Sequence, residues 1–196
     1  MLGQAWMKWI REYKMPQPNL CDQLIEGFND AKKLGFASPG RSARGVDKDW
    51  KDSEDVTFAC LPVSSYANTV QAYREHLMNC LQEYIKEFPI LQSATGKLGF
   101  LEPPQIQRYS AGAAFFGEHY ESSSRDISHR ALAFMTYLNT IKKGGGTRFV
   151  FQEFTCKPRK GKTVIWPGGF THTHRGIVAP DDAKFIITGW INHLGD

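Results

Sequence analysis

Lys184-Phe185-Ile186-Ile187-Thr188-Gly189-Trp190 is the stretch that decides the fold class. Side chains two apart on a strand share a face, so Lys184, Ile186, Thr188 and Trp190 look one way. Phe185 and Ile187 look the other way. A strand that is apolar on its outer side needs a cover, and a lysine on its inner side needs a reason. An inward ammonium is costly unless it meets an anion, or unless it lies at the strand mouth and reaches water.

Four further segments upstream have the same β-branched and aromatic texture: Gln105–Tyr109, Arg130–Leu138, Thr147–Glu153 and Lys162–Trp166. Turn signals separate them, among them Gly144-Gly145-Gly146, Lys157-Pro158 and Pro167-Gly168-Gly169. Short strands at this spacing predict an antiparallel sandwich or barrel, not a parallel α/β sheet. Thr147-Arg148-Phe149-Val150 opens a strand after the glycines, so they read as a hairpin and not as a phosphate cradle.

The cover for the outer face comes from the first hundred residues. Asn19 is placed to cap a helix running through Phe28 and Leu34. Tyr66, Val70, Tyr73, Leu77, Leu81 and Tyr84 recur at helical spacing after Ser64 and Ser65, and Pro89 sets the end. Between these helices the polar segment Ser38–Asp55 reads as a loop and a lid candidate. The expected class is therefore mainly β with N-terminal α-helices. Residues 1–196 form one domain, with 1–100 as helical support and 101–196 as the β core.

Composition narrows the functional classes. Hydrophobic residues make up 41% of the 196 residues, and 13% are aromatic, enough for a sizeable core. No apolar run approaches the ~20 residues of a membrane helix, and the start of the chain lacks a leader pattern. Together these give a cytoplasmic expectation with no membrane partner. Cys21, Cys60, Cys80 and Cys156 are scattered without a Cys-x-x-Cys pair, which argues for a reducing compartment. The net charge of +4 is thinly spread, with Arg41/Arg44 as one small cluster, so no nucleic-acid partner is expected. No nucleophile elbow is present. The expected state is a monomer or weak homo-oligomer.

The chemistry lies in His119-Tyr120-Glu121, followed by His174 and then Lys184. Residues i and i+2 of a strand can grip one ion together, and His174 must arrive from another strand. Two imidazoles and a carboxylate suit Fe(II) and leave positions open for small ligands and O2. Lys184 would then meet a dicarboxylate co-substrate. His76 reads as structural on a helix flank, and His129 and His193 as surface residues.

These residues resemble a family. Tyr109-Ser-Ala-Gly112, Phe115/Phe116 and His119-Tyr-Glu121 are similar to the first metal-binding segment of Fe(II)/2-oxoglutarate-dependent dioxygenases of the prolyl 4-hydroxylase-like branch. Arg130–Asn139 followed by Gly144–Thr147 resembles that branch's Tyr-Leu-Asn strand and glycine-rich hairpin. Lys160–Pro167, His174, Lys184 and Thr188-Gly-Trp190 resemble its closing strands, and Thr171–Gly176 is similar to small bacterial and phage-type members. The likeness covers roughly residues 101–192.

The resemblance implies a double-stranded β-helix (jelly roll) with helical support. It implies His119, Glu121 and His174 as metal ligands, with no catalytic residue beyond them. It implies Lys184, Tyr137 and Thr188 at the distal carboxylate of 2-oxoglutarate, Tyr109 near the co-substrate, and Trp190 beside the metal pocket. Fe(II), 2-oxoglutarate, O2 and ascorbate as reductant follow. So does hydroxylation of a peptide, protein or small-molecule substrate, peptidyl proline first, with a free amino acid, another protein residue or a small metabolite as alternatives.

Two departures stand out. Glu121 replaces the aspartate usual in this branch. His172 also lies two residues from His174; the spacing to Lys184 and the following Arg175-Gly176 favour His174, leaving His172 at the pocket rim. A cupin-like metal-binding barrel without 2-oxoglutarate chemistry would instead take His172, with Gly161, Pro167 and Gly169 as its motif. The segment Glu118–His129 is the first lid candidate, and its Arg125 can touch substrate or be solvated.

Overall fold

Side chains of the long strands alternate between two cores. The computed structural model describes residues 9–93 and 96–195; the N-terminal octapeptide read above for a leader lies outside them. The strands are β1 (Arg11–Lys14), β2 (Ser38–Pro39), β3 (Glu54–Thr57), β4 (Leu98–Gly99), β5 (Gln105–Tyr109), β6 (Arg130–Tyr137), β7 (Thr147–Phe149), β8 (Phe154–Cys156), β9 (Lys162–Pro167), β10 (His174–Gly176) and β11 (Lys184–His193). Every pairing is antiparallel. The large sheet runs β1-β9-β6-β11-β5-β3-β2 with β4 beside β11, and the small sheet runs β10-β7-β8. This is the expected jelly-roll core.

On β6, Leu132 and Phe134 face one core while Ala133, Met135 and Tyr137 face the other. On β11, Phe185, Ile187 and Ile191 alternate with Ile186 and Trp190 in the same way. The inner core also takes Phe149 and Cys156 from the small sheet, so it fills the space the two sheets share. The outer core is completed by α1 (Asn19–Lys33) and α2 (Val63–Glu87), which supply Leu24, Phe28, Tyr73, Leu77 and Tyr84.

The sequence reading differs from the structure in several places. Asn19 is the first helical residue and no side chain caps α1; Pro18 precedes it, where a fixed φ suits helix entry. Helix α2 starts at Val63, behind Pro62, not after Ser65. The expected strand Thr147–Glu153 stops at Phe149, because a turn with Glu153 at φ 50° reverses the chain into β8. Ser38–Asp55 is not a plain loop, since it holds β2 and the start of β3.

His76 does not lie on a flank but points into the helix–sheet interface. Its Nε2 lies 2.9 Å from Thr163 Oγ1, which is 2.7 Å from Thr136 Oγ1, itself 2.9 Å from the Tyr73 hydroxyl. Burial lowers the pKa of this imidazole below 6.5. The unfolded chain therefore holds more protons as pH falls below about 6.5, and stability falls with it. Urea unfolding at pH 7.5 and 5.5 is expected to show this loss, and His76→Gln is expected to make it smaller. An identical pH dependence in both proteins would exclude the role.

Candidate metal centre

Backbone pairing brings the distant histidines together. His119 N–H donates to His174 O at 3.0 Å and His174 N–H donates to His119 O at 2.9 Å. Glu121 N–H donates to Gly168 O at 3.0 Å. Gly168 has no room for a side chain: a Cβ there would lie 2.5 Å from Arg130 O. Strand β10 and the β9–β10 turn thus fix the two ends of His119-Tyr120-Glu121.

The side chains then converge. Donor atoms of His119, Glu121 and His174 lie within 4.8 Å of one another. His119 Nδ1 donates to Gly117 O at 2.9 Å, and His174 Nδ1 donates to His172 O at 2.9 Å. A carbonyl only accepts, so both rings carry the proton on Nδ1 and keep the Nε2 lone pair free. That second contact is what orients metal-binding imidazoles. Phe115 stacks on His119 with centroids 3.7 Å apart, and Trp166 sets its edge against His174 at 5.1 Å.

Glu121 completes the set as an anion. Burial alone would raise its pKa, but its contacts with His174 and His119 and the Trp190 N–H hold it down at about 2. Burial and the neighbouring His174 push His119 down to about 4. At neutral pH the site thus offers an ionised carboxylate beside a neutral His119 ring, donors that fit a divalent iron ion. Glu121 Oε1 lies 3.3 Å from His174 Nε2, and Oε2 accepts the Trp190 indole N–H at 2.6 Å. The Arg130 guanidinium lies 3.5 Å over the Trp190 ring and is held by Glu102.

These groups open into a cavity of about 790 Å³. Lys184 lines it, is 3% exposed and pairs with no carboxylate among the described residues; its Nζ sits 4.6 Å over the Tyr109 ring. Burial lowers its pKa to about 8. Asn139 fixes the strand around it, donating to Ala183 O and accepting from Phe185 N–H, both at 2.8 Å. That explains the Tyr-Leu-Asn element at the end of β6.

The remaining expected residues divide. Tyr109, Thr188 and Trp190 line the cavity with Lys184. Thr188 Oγ1 donates to Phe134 O at 3.2 Å, and the Tyr109 hydroxyl donates to Gln107 Oε1 at 2.8 Å. Tyr137 is fully buried and is not among the lining residues; its hydroxyl lies 2.9 Å from Thr147 Oγ1, and Thr147 does line the cavity. Arg125 is exposed and off the cavity, while its neighbours Ser123, Ser124, Asp126 and Ile127 line it.

His172 is not at a rim. It is 4% exposed, its Nδ1 faces Thr171 Oγ1 at 3.0 Å, and it is outside both the donor cluster and the cavity lining. It ends a short helical turn, Phe170–His172. The cupin-like reading, which needs His172 as a donor, loses its support. The sequence reading missed Thr147, Trp50 and Lys51, all in the lining.

Residues 104–192 match the family model described as the 2OG-Fe(II) oxygenase superfamily. No curated protein sequence matches at a significant level. Among solved structures, the viral collagen prolyl hydroxylase of Paramecium Bursaria Chlorella virus-1, in its 2OG complex, is similar at TM-score 0.68 and 20% identity, covering 95% of this chain and 97% of that one. A Pseudomonas putida prolyl-4-hydroxylase gives 0.68 and 18%, over 95% and 93% of the two chains. A Trichoplax adhaerens prolyl hydroxylase, solved with a hypoxia inducible factor peptide fragment, gives 0.73 and 14%, over 97% and 86%. At these identities the likeness to solved structures establishes the fold.

Proposed function

We propose, from the match of residues 104–192 to the 2OG-Fe(II) oxygenase superfamily model, that this chain hydroxylates a carbon of a peptide or protein substrate, peptidyl proline first. Fe(II), 2-oxoglutarate and O2 belong with that family. The observation that carries the reading is Lys184, a buried ammonium without a carboxylate partner, in the same cavity as the three converging donors. A cavity built in this way suits an anion beside a metal ion. The proline assignment rests on the structural neighbours, which are prolyl hydroxylases.

In this reading His119 Nε2, His174 Nε2 and one Glu121 oxygen hold the metal. When bound, iron with 2-oxoglutarate and O2 supplies the oxidation, one oxygen atom going to the substrate carbon and the other to succinate as CO2 leaves. The protein's own part is placement. Lys184 takes the distal carboxylate of the co-substrate, a charge-assisted contact, and Thr188 and Thr147 bring hydroxyls to the same cavity. Trp166 and Phe149 pack around His174 and keep water from its ring. The helices and the large sheet share one continuous core, which supports treating the chain as one domain. Among the described residues no helix is long and apolar enough to cross a membrane.

Trp190 has a role that follows from its geometry. Its N–H holds Glu121 Oε2, leaving Oε1 to face His174, and Arg130 braces the ring from behind. Trp190→Phe keeps the ring and removes the N–H. It is expected to weaken Fe(II) binding about 10- to 100-fold, the usual cost of losing an outer partner of a ligand. Metal titration with Co(II) or Fe(II) under argon reads this directly, and unchanged affinity would remove the role.

The function test uses purified protein with Fe(II), ascorbate and 2-oxoglutarate, with and without a proline-rich peptide. Succinate is expected to rise with the peptide, and the proline is expected to gain the mass of one oxygen atom. Succinate without any prolyl product would move the substrate to another class. No succinate under any condition would reject the oxygenase reading.

A further inference from the structure

We propose that Arg41 and Arg44 form a receptor for a carboxylate on the substrate, so that the site prefers acidic peptides. This rests on reading the cavity as the substrate site of a peptide oxygenase. Most of the charges that line the cavity are already paired. Lys51 pairs with Asp55 at 2.7 Å, Arg130 pairs with Glu102, and Glu118 lies 3.7 Å from Arg175. Glu121 belongs to the metal donors, and Lys184 sits buried against Tyr109. What remains is Arg41 and Arg44 on one wall and Asp126 on another segment of the lining. Among the described residues neither guanidinium has a carboxylate or hydrogen-bond partner.

These arginines are not loose surface arms, because the wall that carries them is built. Lys51, 3% exposed, donates to Asp55 Oδ2 and also to Arg41 O at 3.4 Å. Gly40 N–H donates to Ser53 O at 2.8 Å, and a Cβ at Gly40 would lie 2.1 Å from Ser53 Oγ. The chain entering Arg41 is thus pressed onto the chain leading into β3.

Arg44 is held by a different device. Its guanidinium carbon lies 3.6 Å over the Trp50 ring. Trp50 in turn lies flat on the backbone at Gly117, where a Cβ would come within 2.0 Å of the indole. Trp50 O accepts from Phe116 N–H at 2.9 Å and from Gly117 N–H at 3.2 Å. Arg44 is therefore fastened, through Trp50, to the chain two residues before His119. A guanidinium stacked by its face keeps its edge N–H groups free, and that edge is the geometry for gripping a carboxylate with two hydrogen bonds.

The charge distribution also orients the substrate. The segment after Glu121 brings Ser123, Ser124 and Asp126 to the lining, hydroxyls and one anion. An acidic group is repelled by Asp126 and drawn to Arg41 and Arg44. Both arginines are exposed, so the attraction is partly screened and weakens with salt.

The test is peptide binding by fluorescence anisotropy, under argon, with Fe(II) and 2-oxoglutarate present. Matched peptides carry Glu or Gln beside a central proline, each with a free or amidated C-terminus, and a second set carries alanine for proline. The Glu peptides are expected to bind about tenfold tighter than the Gln peptides at low salt, with the gap closing at high salt. The double variant Arg41→Gln/Arg44→Gln, verified as folded by an unchanged melting temperature, is expected to bind both equally. A gap that depends on the free C-terminus alone would identify the terminal carboxylate as the group held. Equal binding of Glu and Gln peptides to the wild type, or a gap that survives in the double variant, overturns the proposal. The same gap with alanine peptides as with proline peptides upholds this receptor and rejects proline as the recognised residue. Proline-dependent binding without a charge gap does the reverse, and no binding by any peptide rejects both.

Discussion

Replacing His174 with alanine is expected to abolish co-substrate decarboxylation. His174 is where three supports meet. Its backbone closes the pairing with His119, its Nδ1 is tied to His172 O, and its Nε2 faces Glu121. Removing the imidazole leaves two protein donors, and the ring-sized gap beside Phe149 and Trp166 admits water. Loss of an outer partner alone costs about 10- to 100-fold in metal affinity, so loss of a donor is expected to exceed about 100-fold. Metal content after dialysis separates this from misfolding, since the alanine variant should melt as a folded protein yet retain no Fe(II). Near wild-type succinate formation with iron still bound would refute the ligand assignment. His172→Ala is the matched control, because His172 lies outside the donor cluster.

Lys184→Met is expected to move stability and co-substrate affinity in opposite directions. Losing a charge-assisted contact to the distal carboxylate, worth about 1.5–3 kcal/mol, should weaken 2-oxoglutarate binding by about 10- to 150-fold. The protein without co-substrate should become more stable. Burial holds the ammonium near a pKa of about 8, below the ordinary 10.5, which at neutral pH corresponds to a penalty of about 3 kcal/mol. The sign follows from proton counting. Between pH 8 and 10.5 the unfolded chain keeps the Lys184 proton that the folded protein releases, so stability rises with pH in that window. Below pH 8 the penalty is constant. Urea unfolding at pH 7.5 and 9.5 is expected to show a rise in the wild type that shrinks in Lys184→Met. A less stable methionine variant that still binds 2-oxoglutarate would contradict this role for Lys184.

The parts of the fold that were legible are those whose side chains had to fill an apolar core. Strands β6 and β11 each separate two cores, so their alternation is complete, and α2 covers enough sheet to show a long apolar stripe. The parts that were not legible are short or at edges. Strand β10 is three residues, His174-Arg175-Gly176, with one buried side chain, and β1 and β2 are edge strands with half-exposed or exposed patterns. Their pairing is decided by partners far along the chain, which no local pattern reports.

The candidate site divides along the same line. The types and order of His119, Glu121, His174 and Lys184 were visible, because their chemistry has few other uses. What each one touches was not. Tyr137 matched a motif, yet its hydroxyl meets Thr147, and it is Thr147 that lines the cavity. Trp190 matched an aromatic position, and its bond to Glu121 is a matter of geometry. Ser38–Asp55 read as polar loop, and its use as a cavity wall depends on Trp50 meeting Gly117.

The central claim is that His119, Glu121 and His174 hold a metal ion beside a cavity whose buried Lys184 receives 2-oxoglutarate. Calorimetric titration of 2-oxoglutarate under argon, with Fe(II) added and with the metal stripped by chelator, tests it most directly. One-to-one binding that requires the metal and weakens by about 10- to 150-fold with Lys184→Met is the predicted result. Binding of equal strength with and without metal, or no binding at all, would contradict it.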